Sequence, residues 1–182
     1  MLIGLCSPAM GSGKSTVADY LVRHHGFSGV ALATPLKMMT TALLSAAGLR
    51  GDEIHRRVHG DMKEAVIDSL GVSSRQIQQR LGTEFGRKAI HEDFWVRIAM
   101  SAARSELAGG RSVVIDDVRF PNEHAAIINA GGTVYRIIRP GAAVTSQHES
   151  EGQLDRIRMP EIVNDGTVEE LCQRFLAASI MA

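Results

Sequence analysis

The sequence is poor in the features that mark several large classes of protein. It contains only two cysteines and no Cys/His cluster with zinc spacing, which excludes a disulfide framework and argues against a structural zinc site. Aromatic residues make up 4% of the chain, and no apolar run reaches the roughly 18 residues needed to cross a bilayer. Twenty basic residues balance 20 acidic ones. That balance argues against nonspecific attraction to nucleic acid or to an anionic membrane.

The length and the apolar content fit one domain with its own core. Apolar residues make up 45% of the 182 residues, and a core of this size is stable without disulfides or metals. The segment Met1–Cys6 carries no basic leader and runs directly into a glycine-rich stretch, which is not the pattern of a secretion signal. We therefore expect a cytoplasmic globular protein.

Five short apolar runs predict β-strands. They are Leu2–Cys6, Val30–Ala33, Ser112–Asp117, Thr133–Ile138 and Pro160–Asn164. Helical stretches separate these runs along the chain. That alternation predicts an α/β fold in which helices cover a five-stranded parallel sheet.

Cap and breaker residues set the expected helix boundaries. The first helix is predicted over Lys14–His25, with Gly26 as its stop. Thr34 is predicted to cap a second helix with Pro35 in its first turn. The remaining expectations are a mostly helical region Gly51–Leu107 broken at Gly60, Gly71, Gly82 and Gly86, a helix from Pro121 to Gly131, and a last helix opened by the capping box Thr167–Glu170.

Two segments are predicted to be insertions within a single domain that spans residues 1–182. Gly51–Trp95 is long and helical, and Gly141–Met159 is polar with little periodicity. We expect both to lie over the carboxyl edge of the sheet, where open α/β sheets bind their ligands.

A phosphate-binding loop is predicted between the first strand and the first helix. Gly13-Lys14-Ser15-Thr16 completes the P-loop pattern G-x-x-x-x-G-K-[ST], although Pro8 stands where its first glycine is expected. Glycines let several backbone amides face one point, and the helix start adds partial positive charge. Lys14 can reach the outer phosphates, and the Ser15 hydroxyl can hold Mg²⁺. Because the dinucleotide fingerprint and the guanine-reading motif are absent, ATP is the expected nucleotide.

A second group of polar residues follows the strand Ser112–Asp117. Asp117 stands at the strand end, where P-loop enzymes place a carboxylate on the metal or its water, and Arg119 is expected at the same sheet edge. A structural ion pair is the alternative for these two residues. Glu123 falls in the first turn of the Pro121 helix, where the helix dipole alone would also favour it.

A third group lies between Arg75 and Trp95. Arg75, Gln79 and Gly82 are spaced four and three residues apart, which places them on one helical face, with a break in the helix expected at Gly82. An arginine and an amide can read a phosphate and a base edge, and Trp95 could stack on a base. The alternative is a solvated helix and a core tryptophan.

Together these stretches resemble the phage-type deoxynucleoside monophosphate kinases, a branch of the P-loop kinases. The strings that carry the resemblance are Gly13–Thr16, Gln79–Glu84 with Arg87, Asp93–Trp95, Asp117–Glu123, His148–Glu151 and Asn164–Thr167. Their order and spacing span nearly the whole chain. The resemblance implies a three-layer P-loop NTPase fold with a helical monophosphate-binding insertion at about 51–95 and a lid at about 140–159.

The resemblance also implies an activity and a set of site residues. The activity is transfer of the ATP γ-phosphoryl group to a deoxynucleoside 5′-monophosphate with Mg²⁺. The implied catalytic residues are Lys14, Asp117, Arg119 and Glu123. The implied nucleotide-binding residues are Gly11, Ser12, Gly13, Lys14, Ser15, Thr16, Asn164 and Gly166, with Ser15 on the metal. The implied acceptor-binding residues are Lys37, Arg75, Gln79, Gly82, Thr83, Trp95 and Arg139.

Two other functions remain open from the sequence. One is a different small-molecule P-loop kinase, such as one acting on dephospho-coenzyme A. The other is a P-loop ATPase or switch dependent on nucleic acid, against which the zero net charge counts. We expect small-molecule nucleotides as partners, with neither nucleic acid nor membrane, and the sequence leaves open whether the chain forms a homodimer.

Overall fold

The structure is a computed structural model that describes residues 1–9, 11–142 and 152–180. The chain divides into two compact units. We call Met1–Leu32 with Ile98–Ala182 the sheet unit and Ala33–Arg97 the helical unit. The helical unit thus begins earlier in the chain than the insertion expected from Gly51 onward.

The strands are short and fall into two sheets. They are β1 (Leu2–Cys6), β2 (Ser28–Val30), β3 (Val66–Ile67), β4 (Val72–Ser73), β5 (Val113–Ile115), β6 (Thr133–Ile138) and β7 (Glu161–Val163). The larger sheet has the order β2-β5-β1-β6-β7, and every neighbouring pair is parallel. The predicted five-stranded parallel sheet is confirmed.

Seven α-helices and one π-helical segment occupy the described part of the chain. The α-helices are α1 (Lys14–His25), α2 (Thr34–Ala46), α3 (Gly51–Val58), α4 (Ser74–Arg80), α5 (Phe94–Ala108), α6 (Pro121–Asn129) and α7 (Val168–Ile180). The π-helical segment, Leu81–Ile90, follows α4 directly. No described helix has the length and apolar character that a membrane crossing requires.

Side chains of β1 point alternately to the two faces of the large sheet, and different helices meet them. Ile3 and Leu5 are buried with residues of α1 and α7 in one core cluster. Gly4 faces the opposite way, and a Cβ there would lie 2.8 Å from the Ile127 side chain of α6. Helices therefore cover both faces, as the three-layer prediction requires.

The second strand lies earlier than the prediction of Val30–Ala33. After α1, Gly26 adopts a left-handed conformation with φ of 67°. The chain consequently turns at once, and the Ser28 amide donates to the Ser112 carbonyl at 2.8 Å. Pairing with β5 thus starts at Ser28 and ends at Val30, because β5 itself has only three residues.

The start of α2 also differs from the sequence prediction. Ala33 is the N-cap residue and caps without a side-chain hydrogen bond, while Thr34 is already helical. Pro35 does lie in the first turn, as predicted. The fixed φ of proline suits the first turn of a helix, so it can support this start without a side-chain cap.

The helical unit contains a β-hairpin that the sequence analysis missed. Strands β3 and β4 pair antiparallel, and Gly71 between them has φ of 67°. Ile67 of the hairpin is buried against Leu44 and Val58, so these strands close a small core. Two-residue strands carry too little periodicity to be recognised in a sequence.

The predicted break at Gly82 is wrong, because α4 continues directly into the π-helical segment, which includes Gly82 and Gly86.

In the sheet unit, the predicted capping box is confirmed: the Glu170 amide donates to Thr167 Oγ1 at 3.2 Å, and the Thr167 amide donates to Glu170 Oε2 at 2.7 Å. The predicted lid at about 140–159 is described only at residues 140–142 and 152–159, and His148–Glu151 lies outside the described residues.

Candidate active site

The phosphate loop joins β1 to α1 and depends on two left-handed glycines. Gly11 has φ of 67°, and Gly13, the N-cap of α1, has φ of 105°. A Cβ at Gly13 would also lie 2.8 Å from Asn164 Nδ2 and from Leu171 Cδ2. Both the backbone conformation and the space therefore require glycine at position 13.

Residues that follow the last two strands of the large sheet, β6 and β7, hold this loop. Arg139, directly after β6, donates from Nη1 to the Gly11 carbonyl at 3.1 Å. Asn164, directly after β7, donates from Nδ2 to the Ser12 carbonyl at 2.8 Å. Because the carboxyl ends of parallel strands share one edge, both side chains reach the loop from the sheet itself.

The first residues of α1 present a cation and a hydroxyl at this edge. The Lys14 ammonium lies 3.4 Å from Ser12 Oγ, whose side chain is buried. Ser15 Oγ donates to Asp116 Oδ2 at 2.8 Å. A hydroxyl beside a carboxylate is the pair of oxygen ligands with which P-loop enzymes hold Mg²⁺.

The structure brings Asp116, and not the expected Asp117, to Ser15. The Leu32 amide donates to Asp117 Oδ1 at 2.9 Å, so the Asp117 carboxylate fixes the chain just after β2. Val114 packs in the cluster that contains α1 residues, and side chains two positions apart share one face of a strand. Because Val114 faces α1, Asp116 is expected to face α1 as well. This inference requires knowing which face of β5 meets α1, which the sequence does not give.

Glu123 caps α6 and fixes the backbone of Arg119. Its Oε2 accepts the Arg119 amide at 2.6 Å and the Phe120 amide at 3.0 Å. The Glu123 side chain is buried, with 5% of its surface exposed. This geometry favours the alternative interpretation of Glu123 as a carboxylate at a helix N-terminus.

Lys14 and Arg119 both line a cavity beside the phosphate loop. Pro8 lines it as well, in the position where the loop departs from the usual pattern. Arg136 lines the same cavity, but its guanidinium is committed: it pairs with Glu161 at 2.7 Å and donates to the Leu154 and Ile157 carbonyls. Lys14 and Arg119 are thus the cations that the sequence predicted and the structure places together.

The turn before α7 touches the phosphate loop through Asn164. Asp165 pairs with Arg174, whose hydrogen bond and charge lower the pKa of the Asp165 carboxyl. Gly166 has no room for a side chain, because a Cβ there would collide with the Glu170 carboxylate of the capping box. The predicted nucleotide-binding positions Asn164 and Gly166 therefore belong to a turn with a fixed shape.

The acceptor-side candidates fall into both units. Arg139 lies on the phosphate loop in the sheet unit, as described above. The other candidates lie within the helical unit and are Lys37, Arg75, Gln79, Gly82, Thr83 and Trp95. The Arg75 guanidinium pairs through Nε with Glu64 Oε1 at 2.9 Å and is partly exposed. Thr83 is buried.

Trp95 is a buried residue that holds the π-helical segment. Its Nε1 donates to the Gly82 carbonyl at 2.8 Å, and only 4% of its surface is exposed. A Cβ at Gly86 would lie 2.1 Å from Nε1, so the indole lies against that glycine. The core interpretation of Trp95 therefore fits this structure, and the indole offers no open face to a base.

Comparison with known proteins gives one consistent set of relatives. Residues 41–175 match the family model described as deoxynucleotide monophosphate kinase. A putative deoxynucleotide monophosphate kinase of Acanthamoeba polyphaga mimivirus is 33% identical over 97% of this chain and 95% of its own. The deoxynucleoside-5′-monophosphate kinase of Escherichia phage T5 is 44% identical over 34% of this chain and 24% of its own. The deoxynucleotide monophosphate kinase of Enterobacteria phage T4 is 31% identical over 57% of this chain and 44% of its own.

The position of Trp95 can be tested by fluorescence, because the sequence contains one tryptophan. We expect blue-shifted emission and weak quenching by iodide in the folded protein, with strong quenching after unfolding in guanidinium as the control. Saturation with a deoxynucleoside monophosphate should leave the iodide quenching unchanged. Strong quenching in the folded protein that a monophosphate suppresses would show instead that the indole is open to the ligand.

Proposed function

Because the chain belongs to the deoxynucleotide monophosphate kinase family, we propose that it transfers the γ-phosphoryl group of ATP to a deoxynucleoside 5′-monophosphate. The products are ADP and the deoxynucleoside diphosphate. The observation that carries the proposal is the loop around Gly13, which begins α1 beside Lys14 and Ser15. This is the arrangement in which backbone amides and one ammonium bind a polyphosphate.

The proposed reaction needs positioning and charge compensation, and it needs no general base. The acceptor phosphate is already an anion near neutral pH, so one of its oxygens attacks the γ-phosphorus in line. A bond forms between that oxygen and the γ-phosphorus, the bond to the β,γ-bridging oxygen breaks, and its electron pair leaves with ADP. Lys14 and Arg119, which share a cavity wall, compensate the charge on the transferred group.

The nucleotide is proposed to bind along the start of α1 and beside the turn before α7. Asn164 and Gly166 in that turn are proposed to lie near the adenine, and the Asn164 contact with the Ser12 carbonyl supports this. The residues proposed to hold the phosphates are Gly11, Ser12, Gly13, Lys14, Ser15 and Thr16.

Mg²⁺ fits the residues beside the phosphate loop. Ser15 Oγ and the Asp116 carboxylate are hard oxygen donors 2.8 Å apart. The described residues contain no group of three or more metal-ligating side chains, which suits a Mg²⁺ ion that takes its other ligands from phosphates and water. When bound, the ion supplies charge stabilisation to the phosphates. Asp117 is proposed to support this edge by holding the chain that follows β2, and Glu123 is proposed to position Arg119.

The acceptor is proposed to bind mainly to the helical unit. Lys37, Arg75 and Gln79 are proposed to supply polar contacts within that unit. Arg139, in the sheet unit, is proposed separately as a residue that contacts phosphate beside the loop that it holds. Gly82, Thr83 and Trp95 belong to the π-helical segment or hold it, and local π-helical turns often occur at functional sites. Trp95 is therefore proposed as a positioning residue that acts through Gly82.

Acceptor identity is the direct test of this function. We expect ADP to form when ATP is offered with at least one of the four deoxynucleoside monophosphates, and to form more slowly with the matching ribonucleotides. The Lys14→Met variant should lose this activity. ADP formation with dephospho-coenzyme A alone, or only in the presence of DNA, would contradict the proposal in favour of the other P-loop functions.

Removal of the Arg119 guanidinium should separate catalysis from binding. We expect Arg119→Ala to lower kcat by on the order of 10³, since an arginine that compensates transferring charge contributes about that factor. The Kd for ATP should change little. Arg104→Ala provides the matched control, because Arg104 is an exposed arginine of α5. Near-normal turnover in Arg119→Ala would remove Arg119 from the mechanism.

Neighbouring carboxylates at the end of β5 should have different roles. Asp116→Ala is expected to raise the Mg²⁺ concentration for half-maximal activity by about ten- to a hundredfold, the usual effect of losing a group that orients a metal site. Asp117→Ala should leave that concentration unchanged and lower the free energy of unfolding by about 1 kcal/mol, for the lost bond to the Leu32 amide. The reverse pattern, read from Mg²⁺ titrations and thermal melts, would assign the metal side to Asp117.

A further inference from the structure

Three cationic side chains of the helical unit come from three separate elements. Lys37 lies in α2, Lys63 in the turn that follows α3, and Arg75 in α4, and all three are half-buried. The turn is tied to the start of α4, because the Lys63 carbonyl accepts the Arg75 amide at 3.0 Å and Ser74 Oγ at 3.2 Å. The backbone thus fixes where the Lys63 side chain begins relative to Arg75.

Carboxylates do not balance this group. Glu64 pairs with Arg75. Asp61 pairs with Arg56, and Glu53 pairs with Arg57. Among the residues that the structure describes, no carboxylate lies within ion-pair distance of the Lys37 or Lys63 ammonium. Three cations and one carboxylate leave an excess of two positive charges.

The electrostatic effects of the neighbouring charges agree with this imbalance. Burial, followed by the charges of Lys37 and Arg75, lowers the pKa of Lys63, and Glu64 opposes the shift. Burial, followed by Lys37, His55 and Lys63, lowers the pKa of His59. Lys37 therefore lies close enough to act on Lys63, and both lysines act on the end of α3. The packing of α2 against α3 and α4 agrees with this placement of Lys37.

An uncompensated pair of half-buried ammonium groups is costly unless an anion joins them. An excess of two positive charges matches the dianion of a phosphate monoester. We propose that Lys63 is a further acceptor-binding residue and that, with Lys37 and Arg75, it forms the subsite for the 5′-phosphate of the deoxynucleoside monophosphate. This inference rests on the proposed function and assigns the phosphate end of the acceptor, rather than its base, to the group.

Equilibrium binding can separate the phosphate from the rest of the acceptor. Two probes are used: the deoxynucleoside monophosphate that binds the wild type with the lowest Kd, and the deoxynucleoside with the same base but no phosphate. For Lys63→Met we expect the Kd of the monophosphate to rise about tenfold or more, as for one lost charge-assisted contact, and the Kd of the deoxynucleoside to stay unchanged. The Kd for ATP should also stay unchanged.

Two further variants show whether charge at this position matters. Lys63→Arg keeps the charge and should retain most of the monophosphate affinity. Lys88→Met is the matched control, because Lys88 is exposed and already paired with Glu84 at 2.9 Å, and it should bind both probes as the wild type does. If Lys63→Met does not fold, Lys63→Gln replaces it, with thermal melts as the check on folding.

The outcomes distinguish this inference from the function on which it rests. Equal weakening of both probes, or no weakening of the monophosphate, would overturn the role of Lys63 even if the wild type phosphorylates monophosphates. Selective weakening of the monophosphate, in a protein that transfers no phosphoryl group, would retain the phosphate subsite and overturn the proposed reaction.

Discussion

The geometry of the sheet unit depends on a close contact between the phosphate loop and the turn before α7. Gly13 is left-handed, and its missing side chain leaves the space that Asn164 and Leu171 fill. The Asn164 side chain in turn donates to the Ser12 carbonyl. The turn after β7 therefore helps to shape the loop, together with the strand and the helix that the loop joins. These contacts restrict the backbone at Gly11–Gly13, and such restriction lowers the conformational entropy that ligand binding must remove.

The helical unit contains only the two-stranded sheet of β3 and β4, and a tryptophan holds its long π-helical segment. Its π-helical segment is wound more loosely than an α-helix, and the Trp95 indole ties the segment to α5 by donating to the Gly82 carbonyl. Gly86 is required because the indole lies where a side chain would be. A glycine and a tryptophan nine residues apart are thus one packing unit, and substitution at either position disturbs the other.

Sequence patterns predicted the parts of the fold in which local signals agree. The bounds of β1, α1 and β6 match the predictions, and the capping box before α7 forms as expected. The predictions were wrong where contacts with residues distant in sequence determine the bounds of an element. β2 begins where it can pair with β5, and the Trp95 indole contacts the helical chain at Gly82. The choice between Asp116 and Asp117 has the same origin, because it depends on which face of β5 meets α1. The family resemblance is confirmed by the relatives, whereas the individual site residues stay predictions.

The zero net charge of the chain conceals a marked separation of charge. In the sheet unit, Lys14, Arg119 and Arg136 line one cavity, and the Arg136 guanidinium pairs with Glu161 and donates to the Leu154 carbonyl. In the helical unit, the charges of Lys37 and Arg75 act on Lys63, and Arg75 pairs with Glu64. The net charge of the chain therefore says nothing about its capacity to bind small anions locally. A phosphoryl-transfer enzyme joins two phosphate-bearing substrates, so it requires local positive charge for each of them, and compensation by acidic residues elsewhere keeps the whole chain neutral.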